Sequence, residues 1–177
     1  GGRRLLIMGG SQGARALNEA IAAALPLLRE AGVQLRHQTG RADAERISQV
    51  YAAAGYEAAC VSPFIGDMAE AYAWADLGLM RSGASSVAEL AVAGLPAVLI
   101  PFPFATHNHQ LHNARFLSEA GAAVLVEQKD LSSMDLGGRI IALLGDAEDL
   151  RRMSEAAAAL GRPQAAGEVL KVMRGIS

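Results

Sequence analysis

The segment Met80 to Ala91 has the sequence MRSGASSVAELA. It joins a predicted strand to a predicted helix through a turn of small and polar residues. Residues 75–80 before its turn are typical of a short buried strand, and Val87 to Ala93 is predicted to form a helix that ends at Gly94. A strand that turns directly into a helix presents backbone N–H groups and the positive end of the helix dipole. This turn is therefore predicted to bind an anion such as a phosphate.

A second candidate phosphate loop follows the first apolar run of the chain. Gly9-Gly10-Ser11-Gln12-Gly13 combines glycines, which allow close backbone approach, with a Ser11 hydroxyl that can donate to a phosphate. A tight turn with Ser11 as an N-cap is an equally good interpretation. The spacing differs from the dinucleotide fingerprint, and the second strand ends in His37-Gln38 instead of an acid, so NAD is disfavoured. A P-loop motif is absent from the sequence, and no cofactor is predicted.

Glu89 has two competing interpretations. The spacing of Ser86 and Glu89 fits a capping box, in which the Glu89 carboxylate accepts from the Ser86 backbone N–H. The carboxylate is also a suitable double acceptor for the paired hydroxyls of a ligand. The residues alone favour the capping box.

Two further loops carry groups that suit a small polar ligand. In Phe64-Ile65-Gly66-Asp67, a backbone N–H and C=O could read the edge of a base, or the loop could be a hydrophobic staple with Asp67 as helix cap. Gln110 and Asn113 are three residues apart on a predicted helix, so their amides share a face and could pair with sugar hydroxyls. Ordinary solvation of a helix surface is the alternative.

Metal and nucleophile chemistry have little support. His107, His109 and His112 cluster in sequence, but their spacing fits no standard metal motif, so a metal site is disfavoured. Cys60 is the only cysteine, which excludes a disulfide framework, and it is predicted to begin a buried strand as an inert thiol. No Ser-His-Asp, Cys-His or paired-carboxylate arrangement can be assembled.

Alternating apolar runs and amphipathic segments predict a single α/β domain over residues 1–177, with a Rossmann-like open parallel sheet and helices on both faces. The predicted strands are 5–8, 33–38, 59–61, 77–80, 97–100 and 123–126. The predicted helices are about 14–31, 43–54, 68–74, 87–93, 109–120, from Ser132 or Ser133 to 144, 149–160 and 165–173. Ligands of such sheets bind beyond the carboxyl ends of the strands, where all the loops above lie.

Composition limits the classes of partner that the chain is expected to bind. The chain has 177 residues, 51% of them apolar, and a net charge of -2, so we expect no nucleic-acid binding. No apolar run is long enough to span a bilayer. Because a core strand begins within five residues of Gly1, the chain is expected to be part of something longer.

Several motifs, taken in order, resemble one family. They are Gly9-Gly10-Ser11-Gln12-Gly13-Ala14, the Arg81-Ser82-Gly83-Ala84 turn with Glu89, Gly94-Leu95-Pro96 followed by Pro101-Phe102-Pro103, and His109-Gln110 with Asn113-Ala114. They are similar to the C-terminal half of the MurG family, the glycosyltransferases of peptidoglycan synthesis. The resemblance extends over nearly the whole chain.

The resemblance implies the donor-binding half of a GT-B enzyme, with UDP-N-acetylglucosamine (UDP-GlcNAc) as the ligand. Ser11 and the backbone of residues 84–86 would contact the diphosphate, Glu89 the ribose hydroxyls, and the Ile65 backbone the uracil. Gln110, with Asn113, would contact the GlcNAc hydroxyls. The implied donor-binding residues are Ser11, Ile65, Ala84, Ser85, Ser86, Val87, Ala88, Glu89, Gln110 and Asn113.

The resemblance also implies an activity and a location. The family transfers GlcNAc with inversion to lipid I, making lipid II, and the full-length protein would work in the cytoplasm at the inner face of the plasma membrane. The N-terminal acceptor half with its proposed base is missing, so no catalytic residue and no transfer are expected of this chain alone. A non-catalytic nucleotide-sugar binding fragment and a UDP-sugar epimerase of similar architecture are the alternatives.

Two departures from the family pattern concern local structure. Ser86 stands where the family often has Thr, which keeps the hydroxyl. Gly137-Gly138 and Gly167 interrupt predicted helices, so the C-terminal region is expected to be less stable.

Overall fold

Six parallel strands form one sheet in a computed structural model that describes residues 2–10 and 15–161. The strand order is β3-β2-β1-β4-β5-β6, so the chain starts in the middle and winds outwards in both directions. The strands are β1 (Arg4–Met8), β2 (Gln34–Gln38), β3 (Val61–Ser62), β4 (Leu77–Met80), β5 (Ala97–Leu99) and β6 (Ala123–Leu125). The predicted fold class is confirmed, and β1 and β4 lie side by side at the point where the winding reverses.

Seven α-helices connect and cover the strands in the described part of the chain. They are α1 (Arg15–Glu30), α2 (Ala44–Ala53), α3 (Met68–Trp74), α4 (Ala84–Ala93), α5 (His109–Glu119), α6 (Leu136–Gly145) and α7 (Ala147–Leu160). The predicted helix 165–173 lies outside the described residues. None of the helices within 2–10 and 15–161 is long and apolar enough to cross a membrane.

The sheet separates two apolar cores because side chains of a strand alternate between its faces. Leu5 and Ile7 face α1, α2 and α6, whereas Leu6 packs with residues of α3, α4, α5 and α7. All three of these leucine and isoleucine side chains are fully buried. A strand with both faces covered needs a continuous apolar run, which is why residues 5–8 could be recognised as a strand.

Pro26 does not break α1, which continues to Glu30. A proline inside a helix removes one backbone hydrogen bond and crowds the preceding turn. Leu25 and Leu28, on either side, are fully buried in the first core. Their burial holds the helix against the sheet despite the proline.

The structure corrects the predicted bounds of β3 and of the sixth helix. Cys60 does not begin a strand: residues 58–60 form a short 3-10 helix, and β3 has only two residues. The thiol is half-buried, and desolvation raises its pKa, as expected of an unreactive cysteine. The sixth helix does not start at Ser132 or Ser133 but at Leu136, because the Asp135 carboxylate caps it by accepting from the Gly138 N–H at 2.8 Å.

Gly137 has a packing role that its low helix propensity conceals. A Cβ atom at this position would lie 3.1 Å from Leu27 Cδ2 and 3.3 Å from Ala24 Cβ. Both neighbours belong to α1, so the glycine allows α6 to approach α1 closely. The unfavourable propensity of the glycine is therefore offset by contact between two helices.

Candidate functional site

The turn between β4 and α4 is built as an open helix N-terminus. Gly83 is the N-cap residue, in an extended conformation, and no side chain caps the helix. The first intrahelical bond runs from the Val87 N–H to the Gly83 carbonyl at 3.0 Å, so the N–H groups of the three preceding residues, 84–86, have no acceptor within the helix. At the other end, Gly94 adopts φ 62 and closes the helix, as predicted.

This geometry corrects the predicted cap and the predicted start of the helix. Ser86 is the third residue of α4 and not its N-cap, so the capping box with Glu89 is wrong. Val87 is fully buried and its N–H is used within the helix, and the Ala88 N–H lies one residue further in. Both backbone N–H groups lie beyond the open start of the helix, and the contacts of Val87 and Ala88 with the donor stay predictions. The helix begins three residues earlier than predicted, and the N–H groups at its open start belong to Ala84, Ser85 and Ser86, the residues that the family resemblance assigns to the diphosphate.

A cleft of about 390 Å³ opens beside this helix start. Its walls come from three loops at the carboxyl edge of the sheet: Gly9 and Gly10 after β1, residues within 81–86 after β4, and residues within 102–110 after β5. Ser85, Ser86 and Gln110 are among the lining residues. The polar groups predicted from three separate motifs are thus brought to one cavity.

Arg81 supplies positive charge to the wall of the cleft. Arg81 is only 5% exposed, and its guanidinium donates to the Ile100 carbonyl at 3.2 Å and to Gln128 Oε1 at 2.7 Å. The guanidinium carbon also lies 5.5 Å from the centre of the Phe102 ring. Burial lowers the pKa of Arg81, yet a guanidinium stays protonated at neutral pH. Arg81 had no role predicted from the sequence. The signal that could have identified it is a positive charge directly after a buried strand.

Two side-chain amides of α5 form hydrogen bonds with the backbone of the loops beside the cleft. Gln110 Oε1 accepts from the Phe102 N–H at 2.9 Å, and the Gln110 carbonyl accepts from Ser82 Oγ at 2.7 Å. Asn113 Nδ2 donates to the Ser82 carbonyl at 3.0 Å, and Asn113 is 1% exposed. Asn113 therefore fixes the turn that precedes α4. Its contact with a sugar hydroxyl beside Gln110 stays a prediction.

Glu89 lies on the side of α4 that faces α3. Its Oε2 accepts from the Tyr72 hydroxyl at 2.8 Å, and the residue is exposed. Glu89 also lines a largely apolar groove of about 480 Å³ between the two helices, together with Met68 and Val92. The carboxylate therefore lies beyond the first turn of α4, beside the helix that follows the Ile65 loop.

The loop before α3 leaves its central peptide groups open. Ile65 makes no backbone hydrogen bond among residues 2–10 and 15–161, whereas its neighbours are fixed. Ser62 Oγ accepts from the Phe64 N–H at 3.2 Å, and Asp67 Oδ1 accepts from the Glu70 N–H at 2.9 Å. The predicted Asp67 cap is confirmed. An N–H and a C=O in a loop fixed at both ends are well suited to recognise a planar base edge.

The remaining predicted residues divide into two groups. Ser11 lies outside the described residues. His107, His109 and His112 are all exposed, and His107 and Asn108 have φ of 53 and 54. No group of three potential metal ligands occurs in the part of the chain that the structure describes.

A buried polar cluster lies at the carboxyl end of β2, behind the start of α1. His37 Nε2 contacts Asn18 Oδ1 at 2.9 Å, and His37 Nδ1 contacts the Tyr51 hydroxyl at 2.8 Å. Asn18 Nδ2 also donates to the Thr39 carbonyl at 3.2 Å and to Asp43 Oδ2 at 2.9 Å. Since the Asn18 amide nitrogen is the donor in both bonds, its oxygen must accept from His37 Nε2–H. His37 is then neutral and accepts from Tyr51, and desolvation lowers its pKa from 6.5 to about 3.

The fold and its relatives define the class of the protein: it has the architecture of the C-terminal half of a GT-B glycosyltransferase. A crystal structure of Acinetobacter baumannii MurG matches 99% of this chain and 52% of its own, with a TM-score of 0.74 and 35% identity. The calicheamicin glycosyltransferase CalG4 matches 98% of the chain with a TM-score of 0.63. Its 21% identity supports the fold alone.

The chain belongs to the glycosyltransferase family 28 C-terminal domain family, which matches residues 4–169. A protein of Nitratidesulfovibrio vulgaris (strain DSM 19637 / Miyazaki F) is 60% identical over 181 residues, covering 98% of this chain and 47% of its own length. It is named UDP-N-acetylglucosamine--N-acetylmuramyl-(pentapeptide) pyrophosphoryl-undecaprenol N-acetylglucosamine transferase. A protein of the same name from Solidesulfovibrio magneticus (strain ATCC 700980 / DSM 13731 / RS-1) is 51% identical over 98% of this chain and 49% of its own length. The chain therefore spans about half the length of these relatives.

Proposed function

We propose that this chain is the donor-binding half of an N-acetylglucosaminyltransferase that moves GlcNAc from UDP-GlcNAc to lipid I. The observation that carries the proposal is the open N-terminus of α4, whose first three N–H groups lack intrahelical acceptors, beside a cleft with Arg81 in its wall. Backbone N–H groups and a helix dipole suit a diphosphate, and the arginine adds a full positive charge. The names of the relatives supply the sugar and the acceptor.

Each part of the donor has a proposed partner in this chain. The diphosphate meets the N–H groups of Ala84, Ser85 and Ser86, and the ribose diol donates to Glu89. The open peptide groups of Ile65 pair with the uracil edge. Gln110 lies in the cleft with its side-chain NH₂ group available beside the bond to Phe102, which suits a sugar hydroxyl. We retain Ser11 as a further diphosphate ligand on sequence grounds.

The chemistry proposed for the chain is stabilisation of the leaving group. An acceptor hydroxyl gives its proton to a base and attacks C1 of GlcNAc, the bond between C1 and the diphosphate oxygen breaks, and UDP departs with the bonding electrons. Negative charge grows on the diphosphate as this bond breaks, so donors fixed at the helix start stabilise the transition state more than the ground state. No residue of this chain is proposed as the base.

The acceptor side is proposed to lie in the part of the relatives that this chain does not match. The acceptor in their names carries an undecaprenol lipid. We therefore propose that the complete enzyme works at the inner face of the plasma membrane, where a nucleotide sugar and a lipid-linked acceptor can meet. The 177 residues are proposed to act as a single donor domain.

Calorimetric titration of the 177-residue chain with UDP, UDP-GlcNAc and NAD tests the donor site. The two uridine ligands are expected to bind and NAD is not. Replacing Glu89 by Ala should weaken UDP binding about tenfold or more, because hydrogen bonds to a charged group contribute about 1.5–3 kcal/mol. Replacing Glu119, an exposed glutamate at the end of α5, by Ala is the control and should leave the affinity unchanged. The proposal fails if neither uridine ligand binds at millimolar concentration.

A further inference from the structure

Tyr72 makes a contact with Glu89 that links two neighbouring helices. The tyrosine belongs to α3 and is 7% exposed, with its ring in the apolar core beside Val87 and Leu90 of α4. Its hydroxyl lies 2.8 Å from Glu89 Oε2. The buried ring fixes where the hydroxyl sits, so the hydroxyl can in turn fix the carboxylate.

The direction of this hydrogen bond is set by charge. A carboxylate can only accept, so the Tyr72 O–H donates to it, and a bond of this kind to an ionised acceptor is stronger than one between neutral groups. Desolvation and the neighbouring Glu89 carboxylate both raise the pKa of Tyr72, so the hydroxyl keeps its proton over the physiological range. The contact therefore restrains one carboxylate oxygen throughout that pH range.

The second oxygen of Glu89 remains available. In residues 2–10 and 15–161, the Tyr72 bond is the only hydrogen bond that the Glu89 side chain makes. An exposed glutamate without such a contact would sample several rotamers, and binding a ligand would require it to lose that freedom. With Oε2 held, the position of Oε1 is restricted before any ligand arrives.

The same contact ties Glu89 to the loop proposed to read the base. Helix α3 starts at Met68, directly after Ile65, Gly66 and the capping Asp67. The bond from Tyr72 therefore joins the carboxylate on α4 to the helix that follows the Ile65 loop. In a nucleoside, the base and the ribose diol are likewise joined by a short covalent frame.

We propose that Tyr72 is a positioning residue that orients the Glu89 carboxylate towards the ribose diol and so sets a preference for ribonucleoside over 2′-deoxyribonucleoside diphosphates. The inference rests on the proposed function, because it requires a uridine nucleotide at this site. It adds a residue that does not itself touch the ligand. Its consequence is measured as the ratio of two affinities.

The test compares UDP with 2′-deoxy-UDP by calorimetric titration of the 177-residue chain and of its Tyr72→Phe variant. The variant keeps the ring and removes only the hydroxyl. UDP affinity is expected to fall about three- to tenfold, less than for loss of a direct hydrogen bond to a charged group, because Tyr72 acts on the ligand only through Glu89, while 2′-deoxy-UDP affinity changes less. The preference for the ribonucleotide should therefore shrink.

Tyr56→Phe is the matched control. Tyr56 is 9% exposed, and its hydroxyl donates to the Val33 carbonyl at 3.1 Å in the other core of the sheet. The Tyr56→Phe substitution removes a buried tyrosine hydroxyl, as Tyr72→Phe does, but in the other core. Any fall in stability from this control should leave the ratio of UDP to 2′-deoxy-UDP affinities unchanged.

A second comparison, made in the Glu89→Ala chain, tests whether Tyr72 acts through the carboxylate. Glu89→Ala should itself reduce the ratio, and adding Tyr72→Phe to it should cause no further reduction, because the tyrosine acts only through the carboxylate. An unchanged ratio in Tyr72→Phe, or equal losses for both nucleotides, would overturn the inference. If the unaltered chain binds neither nucleotide, the proposed function falls and this inference falls with it.

Discussion

Lowering the pH from about 7.5 to about 4.5 is expected to destabilise the domain through His37. This imidazole is 1% exposed and is held neutral between Asn18 and Tyr51. Its pKa is about 3 in the folded chain against 6.5 for an ordinary histidine, and the cause is desolvation. The unfolded chain therefore binds more protons at every pH below about 6.5, so stability falls as the pH falls.

The magnitude follows from the two pKa values. Between them, one proton is taken up on unfolding, and the free energy of unfolding changes by about 1.4 kcal/mol per pH unit. The loss attributable to His37 is about 1.4 kcal/mol at pH ~5.5 and about 2.7 kcal/mol at pH ~4.5. Above pH ~6.5 the histidine contributes no pH dependence. The Asp43 carboxyl, whose pKa is lowered chiefly by its hydrogen bonds to Arg46 and Asn18, contributes only at more acidic pH.

Urea unfolding at several pH values, on the chain and on His37→Gln, separates this effect from other titrations. A glutamine can donate to Asn18 and accept from Tyr51 but does not titrate. The variant is expected to be less stable at neutral pH and to lose less stability on acidification, so that the two curves converge. His112→Gln, at an exposed position of α5, should follow the unaltered chain. Parallel curves for the chain and His37→Gln down to pH ~4.5 would refute the assignment of a buried neutral imidazole.

Two further substitutions test the turn before α4 and the end of that helix. Asn113→Ala should lower the free energy of unfolding by about 1–3 kcal/mol, because it leaves the Ser82 carbonyl without its donor, whereas His112→Ala on the same helix should have little effect. Equal effects of the two in urea unfolding would contradict the role given to Asn113. Gly94→Ala should lower the free energy of unfolding by about 1–2 kcal/mol, since φ is 62 at this position and a side chain is strained there. Gly145→Ala, where a Cβ would meet open space, is the control in thermal unfolding, and a neutral Gly94→Ala would count against the left-handed cap.

The parts of the fold that the sequence predicted are those decided by local pattern. The apolar run Leu5 to Met8, bounded by Gly9-Gly10, identified a strand covered on both faces, and Gly94 marked the end of α4. These features follow from burial on both sides of a strand and from the φ that only glycine adopts freely. Strand–helix alternation then required a parallel sheet, and a parallel sheet places the loops that follow its strands at one carboxyl edge.

The relations between side chains of different elements were decided by the tertiary structure. Ser86 and Glu89 have the spacing of a capping box, but the helix starts at Ala84, directly after the buried pair Arg81-Ser82 and the N-cap Gly83. Whether Asn113 faces a ligand or Ser82 depends on how α5 packs beside that turn, which the spacing of two amides does not determine. The partner of Glu89 is seventeen residues away in sequence, on another helix. Sequence thus determined which loops carry chemistry, and packing determined which atoms in them are left for a ligand, because hydrogen bonds between elements form only when the elements meet.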